Sequence, residues 1–86
     1  MRSYTTARFW KHYRALPLPV RRLAVKNFRL WRENPRHAGL HFKRVGPSTW
    51  SARVGEHYRA LAAPVADGFV WFWIGPHDEY ERMIAS

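Results

Sequence analysis

Cysteine is absent from this sequence of 86 residues. The chain can therefore form neither a disulfide framework nor a zinc–thiolate site, and its composition suits a reducing compartment. Long apolar runs are also missing, since the stretch 69–74 is far below the roughly 20 residues that a membrane-spanning helix needs. No apolar segment follows the first arginine, as a secretory signal would require. We expect a soluble cytoplasmic protein.

Acidic residues are scarce, with six Asp and Glu against fifteen Lys and Arg and a formal net charge of +9. Fourteen of the fifteen bases lie at or before Arg59, and only Glu33 and Glu56 accompany them. A field this positive attracts polyanions, of which nucleic acid is the commonest in cytoplasm. The alternatives are docking of an acidic protein partner and a basic surface that serves solubility alone.

The length allows one domain, residues 1–86, and a composition that is 47% hydrophobic with five Trp supplies its core. Apolar side chains recur at helical spacing over 7–16 and again over 20–32. Pro17 ends the first helix, and Pro19 suits the first turn of the second. The pattern predicts an N-terminal helical hairpin with one apolar face.

The second half of the chain is typical of strands joined by short turns. Strands are predicted over 40–45, 50–54, 57–62 and 69–74, followed by a short helix over 77–84. Short connections favour antiparallel neighbours, and the apolar run 69–74 is typical of a central strand covered on both faces. We therefore expect an α+β fold in which the helical hairpin packs on a curled antiparallel sheet of about four strands, with a short C-terminal helix.

Basic residues on successive predicted strands are the first candidates for chemistry. Arg53 and Arg59 flank a tight turn, so they can stand side by side if both point away from the core, and Lys43 lies on the preceding strand. Two adjacent guanidinium groups can clamp a phosphate. The alternative is that these side chains only solvate an exposed sheet face.

His77 and Tyr80 follow the last predicted strand and share one face of the short helix. A histidine at the end of a strand can transfer a proton near neutral pH, and a tyrosine can stack on a base or carry a proton. Equally, His77 can cap the helix and Tyr80 can anchor it to the sheet. The five histidines show no paired ligand spacing and the chain has no phosphate loop, so we expect neither a metal site nor a cofactor.

Three segments resemble the RelE/ParE superfamily of bacterial toxins. Residues 50–62, Trp-Ser-Ala-Arg-Val-Gly-Glu-His-Tyr-Arg-Ala-Leu-Ala, are similar to its strand–turn–strand signature, which ends in Tyr-Arg and an aliphatic strand. Residues 69–80 look like its last strand, glycine and C-terminal functional segment. The predicted helical hairpin, with Leu16-Pro17 and the run 32–35, also looks like that family. The likeness spans nearly the whole chain.

The resemblance implies a toxin of a type II toxin–antitoxin module. Members of the RelE branch are mRNA interferases, endoribonucleases that cleave mRNA at the ribosomal decoding site without metal, by attack of the ribose 2′-OH on the adjacent phosphate. By position in the motif, Arg59 is similar to the family's catalytic arginine and Arg53 to a basic residue on the preceding strand. His77 falls where members carry arginine or histidine, and Tyr80 is a further candidate.

Two positions depart from that pattern. Met83 falls where some members place an aromatic residue that stacks on the target base, and Ser51 falls where some carry a second lysine. These departures keep open a ParE-like inhibitor of DNA gyrase without nuclease activity, and an inactive basic binding protein.

The implied partners are a cognate antitoxin, the ribosome and its mRNA, or DNA gyrase under the alternative. We expect the antitoxin to lay an extended or helical, partly acidic segment over the basic sheet face. The side chains predicted to bind RNA are Lys43, Arg44, Arg22, Lys26 and Arg29.

Overall fold

The protein is described by a computed structural model over residues 1–85; Ser86, the last residue of the expected domain, lies outside the described residues. The elements in chain order are β1 (Arg2–Thr5), α1 (Ala7–Arg14), α2 (Leu18–Glu33), a short 3-10 turn (Ala38–Leu40), β2 (Lys43–Gly46), β3 (Thr49–Val54), β4 (Tyr58–Val65), β5 (Gly68–Pro76) and α3 (His77–Ala85). No helix within 1–85 is both long and apolar enough for a membrane span.

The sheet differs from the expected one. It has five strands in the order β1-β5-β4-β3-β2, and β1 runs parallel to β5 while the other neighbours are antiparallel. The prediction of a four-stranded antiparallel sheet under an N-terminal helical hairpin was therefore wrong. The sheet is mixed, and the two long helices lie in the chain between β1 and β2.

The missed strand β1 has a physical explanation. Its side chains are mostly exposed, so it shows no hydrophobic alternation, and it is held through backbone pairing of Arg2–Thr5 with Gly68–Trp71. The first predicted strand, 40–45, also begins too early. Leu40 is buried within the 3-10 turn, and His41 has a left-handed backbone with φ 44°, which interrupts extended structure before Lys43.

Helices α1 and α2 cover one side of the sheet, called here the α1/α2 face. Thr6 caps α1 by accepting a hydrogen bond from the amide of Phe9 at 3.0 Å. Trp31, the buried residue of α2, packs edge-on against Phe42 and Trp71. Strand residues complete this core, at alternate positions in β3 and β4 and on both sides of a register shift in β5: Ala52, Val54, Ala60, Ala62, Trp71 and Ile74.

The opposite side of the sheet, the α3 face, is covered in part by α3. Tyr80 of α3 packs with Leu61 of β4 and Trp73 of β5 in a separate core cluster. Strand β5 lies between β1 and β4 with buried residues on both faces, as the apolar run 69–74 predicted. The α3 face therefore combines a small apolar core with the polar residues that alternate with the α1/α2 core.

The close approach of β1 to β5 at Gly68 gives a test of the mixed sheet. A Cβ atom at Gly68 would overlap the carbonyl group of Arg2, whereas one at Gly46 would make only an ordinary contact with Thr49. We expect Gly68→Ala to lower the free energy of unfolding by about 1–3 kcal/mol. Gly46→Ala should stay within about 0.5 kcal/mol of the wild type in urea unfolding. Equal losses in both variants would contradict the parallel β1–β5 packing.

Candidate functional site

Arg53 and Arg59 are direct partners in the register between β3 and β4. Directly opposed residues of two antiparallel strands point to the same face of a sheet. Because their neighbours Ala52 and Ala60 lie in the α1/α2 core, the two arginines belong to the α3 face. The structure thus places side by side the pair that the sequence suggested as a phosphate clamp.

Arg59 is buried, with 7% of its surface exposed, and three groups surround its guanidinium. Its Nε donates a hydrogen bond to the Ser51 hydroxyl at 2.8 Å, and its Nη2 lies 3.5 Å from the carbonyl oxygen of His41. Its Cζ lies 5.1 Å from the centre of the Tyr80 ring, within the range of a cation–π contact. The side chain is held from several directions in one orientation.

Within residues 1–85 no carboxylate forms an ion pair with this buried cation. The ion pairs described within 1–85 join Arg2 to Asp67, His57 to Glu56 and His77 to Glu81, and Arg59 belongs to none of them. Burial lowers the pKa of the Arg59 guanidinium below its ordinary value; Tyr80 partly offsets this effect, and the charge of Arg53 adds to it. Folding therefore disfavours the charged form of Arg59, and a bound anion would relieve that penalty.

Arg53 is less enclosed than Arg59 and is anchored at the β3–β4 turn. Its Nε donates a hydrogen bond to the carbonyl oxygen of Gly55 at 3.1 Å. Its own carbonyl oxygen accepts a hydrogen bond from the Asn27 side chain of α2 at 3.1 Å. Gly55 adopts φ 70°, a left-handed conformation that favours glycine, and so permits the turn that brings the two arginines together.

His77 begins α3 beside the same turn. Its backbone N–H donates to the carbonyl oxygen of His57 at 2.8 Å, which ties the start of α3 to the β3–β4 connection. Its Nδ1 lies 3.2 Å from a carboxylate oxygen of Glu81, and its ring centre is 5.4 Å from that of Tyr80. The imidazole is partly exposed, so its Nε2 can reach a ligand from outside.

Tyr80 is 5% exposed, and the guanidinium of Arg59 lies over its ring. A ring in this position contacts Arg59 and the small apolar core rather than solvent. Because Tyr80 touches both Arg59 and His77, it joins the residues from β4 and from α3 into one cluster.

The residues predicted to bind RNA are divided between the two faces. Lys43 is exposed and pairs in register with Ser51, which puts it on the α3 face with the arginines. Arg44 pairs with Trp50 and folds back onto the β2–β3 turn, where it donates to the carbonyl oxygens of Gly46 and Pro47. It therefore lies apart from the arginine pair.

The helix α2 carries the other predicted RNA-binding residues. Arg22, Lys26 and Arg29 are exposed, and α2 packs on the α1/α2 face through Leu23, Ala24 and Trp31. These three bases therefore form a second basic surface on the side of the sheet opposite to Arg59.

An apolar cavity of about 180 Å³ lies between α1, α2 and the sheet. Its walls include Phe9, Trp10, Phe28 and Trp71. They also include Trp31, whose buried indole N–H has no hydrogen-bond partner within 1–85. The cavity lies on the α1/α2 face; Arg53 is among the residues that line it, whereas Arg59, His77 and Tyr80 are not.

Sequence reasoning missed the part that Ser51 plays. The sequence predicts Ser51 on the outward face of its strand beside Arg53, yet its hydroxyl is fully buried and is the acceptor for Arg59. The available signal was strand alternation, because Ser51 stands two residues before Arg53 and so shares its face. The contact of Arg59 with the His41 carbonyl could not be predicted, because the position of that carbonyl depends on the left-handed backbone of His41 before β2.

Together these groups can bind an oxyanion and exchange a proton with it. Arg53 and Arg59 are register partners on one face of the sheet, and the backbone N–H of His77, whose imidazole is partly exposed, is bonded to the β3–β4 connection. Within 1–85 no three His, Asp or Glu side chains are grouped as metal ligands would be. The chemistry available from the side chains themselves is charge stabilisation and acid–base catalysis.

Comparisons with known proteins concern the fold. No protein-family model matches the sequence, and a search of curated proteins gives no significant match. Among solved structures, a chain of the RelB-RelE antitoxin-toxin complex from Methanococcus jannaschii is similar, with a TM-score of 0.67 and 15% identity. The match covers 93% of this chain and 96% of that one. At this identity the comparison shows a shared fold.

The unpaired charge of Arg59 gives a test through stability. We expect Arg59→Met to raise the free energy of unfolding by about 1 kcal/mol or more, because it removes a buried cation that pairs with no carboxylate of residues 1–85. The exposed Arg36→Met is the matched control and should change stability by less than about 0.5 kcal/mol. Denaturant unfolding at low salt measures both. Clear destabilisation by Arg59→Met would contradict this expectation and would show that the contacts of Arg59 with Ser51, His41 and Tyr80 outweigh the cost of burying its charge.

Proposed function

We propose that this protein is the toxin of a type II toxin–antitoxin module and cleaves mRNA on the ribosome without a metal ion. The observation that carries the proposal is the pair Arg53 and Arg59, two adjacent cations on one sheet face, one of them buried, with His77 at the turn beside them. Such a pair stabilises a phosphate that gains negative charge during reaction.

In the proposed reaction the ribose 2′-hydroxyl gives its proton to water and its oxygen attacks the adjacent phosphorus. The bond from phosphorus to the 2′-oxygen forms and the bond to the 5′-oxygen breaks, which leaves a 2′,3′-cyclic phosphate and a 5′-hydroxyl group. Arg53 and Arg59 stabilise the pentacovalent dianion. His77 donates the proton that the departing 5′-oxygen takes up. Lys43 adds positive charge on the same face, and the Tyr80 ring holds the Arg59 guanidinium through a cation–π contact.

The two separate basic surfaces are consistent with a binding site that surrounds the protein. Arg22, Lys26 and Arg29 on α2 lie on the opposite side of the sheet from the arginine pair, with Arg44 at the β2–β3 turn. One flat RNA could not contact all of them, whereas a site enclosed by ribosomal RNA could. In this proposal α2 binds the ribosome and the α3 face binds mRNA.

A cognate antitoxin is the second proposed partner. The similar solved chain comes from an antitoxin–toxin complex, and this chain shares its fold over nearly its whole length. A partly acidic segment laid over the α3 face would neutralise Lys43, Arg53 and Arg59 and block phosphate from entering. The antitoxin thus inhibits by occupying the anion site.

A second candidate function is inhibition of DNA gyrase without nuclease chemistry. The burial of Tyr80 favours it, because a ring covered by Arg59 cannot also stack on an mRNA base. An RNA-cleaving protein would then have to orient the target base by other contacts.

The decisive experiment is induced expression in bacteria with mapping of mRNA 5′-ends. We expect new cuts within translated frames that disappear when translation is blocked. Arg59→Ala should reduce cleavage by about 10²–10³-fold, by analogy with loss of one charge-stabilising donor, and His77→Ala by about 10²–10⁴-fold. Circular dichroism confirms that each variant is folded, and Arg36→Ala is the control for loss of one exposed charge.

Gyrase-linked DNA breaks are mapped in the same cultures. DNA breaks together with intact mRNA would contradict the nuclease proposal and support inhibition of DNA gyrase. If cleavage is unchanged in both Arg59→Ala and His77→Ala, the assignment of these residues to the site is wrong. If the cultures show neither mRNA cuts nor DNA breaks, both proposed toxin functions are wrong.

A further inference from the structure

Ser51 lies on the same face of the sheet as Arg53 and Arg59, but its buried hydroxyl cannot touch a ligand. Its residue is 0% exposed, between Lys43 of β2 and Leu61 of β4 in the strand register. Its hydroxyl oxygen lies 2.8 Å from Arg59 Nε and accepts that hydrogen bond. An enclosed hydroxyl group that serves as an acceptor for Arg59 is neither a nucleophile nor a proton donor to substrate.

The contacts of Arg59 restrain different movements of its guanidinium. The Tyr80 ring, whose centre lies 5.1 Å from Cζ, covers one side of the group, but this cation–π contact does not by itself fix the direction of the N–H bonds. The Ser51 hydroxyl holds the Nε edge and so restrains rotation within that plane. The contact of Nη2 with the His41 carbonyl is longer, at 3.5 Å, and is correspondingly weak. Ser51 is therefore the principal restraint on the in-plane orientation.

That orientation matters because the charge repulsion of Arg53 acts on Arg59. Arg53 is directly opposite in the register, and no carboxylate within 1–85 pairs with either arginine. Without a neutral acceptor for Nε, the Arg59 side chain would turn away from Arg53 or toward solvent. A hydroxyl group can hold the guanidinium without neutralising it, whereas a carboxylate would compete with a phosphate ligand.

We propose that Ser51 is a positioning residue, whose hydroxyl keeps the Nη groups of Arg59 turned toward the phosphate-binding side of the site. The cleavage assay below rests on the proposed function, but the orientation of Arg59 and its affinity for phosphate do not. Ser51, which falls where some members of the RelE/ParE superfamily carry a lysine, would then act through Arg59 and not on the ligand itself.

The test compares Ser51→Ala with the conservative Ser51→Thr, and Ser48→Ala is the control for loss of an exposed serine hydroxyl. The first readout is the NMR signal of Arg59 Nε–Hε in ¹⁵N-labelled protein. We expect Ser51→Ala to shift it and to speed its hydrogen exchange by about tenfold, the factor for one lost hydrogen bond. Inorganic phosphate, titrated at constant ionic strength, should bind the Ser51→Ala protein about tenfold more weakly. Ser51→Thr should restore both signals, and Ser48→Ala should leave them unchanged.

The second readout is mRNA cleavage on purified ribosomes. We expect Ser51→Ala to lower kcat by about 10–100-fold through misplacement of Arg59, with a smaller effect on KM. If the wild type cleaves nothing, the proposed function fails, while the NMR and phosphate measurements still decide the role of Ser51. An Arg59 Nε–Hε signal and a phosphate affinity that survive Ser51→Ala would overturn the proposal. So would a Ser51→Ala enzyme that keeps full kcat, because Arg59 would then need no orientation by the hydroxyl.

Discussion

The structure depends on the pairing of Arg53 with Arg59 across the β3–β4 turn. This register sends Ala52, Val54 and Ala60 into the core under α1 and α2 and leaves both guanidinium groups on the other side of the sheet. A shift by one residue would exchange the two sets and bury the charges beneath the helices. The same pairing therefore specifies the main core and assembles the candidate site.

The site is held together by neutral contacts around a cation. The Ser51 hydroxyl and the Tyr80 ring hold Arg59 without cancelling its charge, and burial holds the pKa of Arg59 below its ordinary value. Such an arrangement lowers the stability of the free protein, and the binding of an anion to the folded state raises it again. This exchange of stability for binding is expected at a site that binds an anion.

The sequence left open whether Arg53 and Arg59 share one face of the sheet, and it grouped His77 with them only through the family resemblance. Strand alternation and helical spacing were enough to predict both long helices and three of the strands to within a few residues. They could not predict β1, because Arg2–Thr5 is held by backbone pairing with a strand more than sixty residues later and shows no apolar pattern. Nor could they reveal that the α3 face has its own core. The sequence offered an anchor to the sheet as one role of Tyr80, but it did not give the contacts of Tyr80 with Leu61 and Trp73.

The central claim is that Arg53 and Arg59 form a preorganised site for a tetrahedral oxyanion. A crystal structure grown with tungstate, which resembles phosphate in shape and charge and is easily seen in density, tests it most directly. The account predicts the ion between the two guanidinium groups, with Arg59 still bonded to Ser51 and the His77 imidazole beside it. A structure in which Arg59 pairs with a carboxylate of its own chain, or in which tungstate leaves the arginine pair empty, would contradict it.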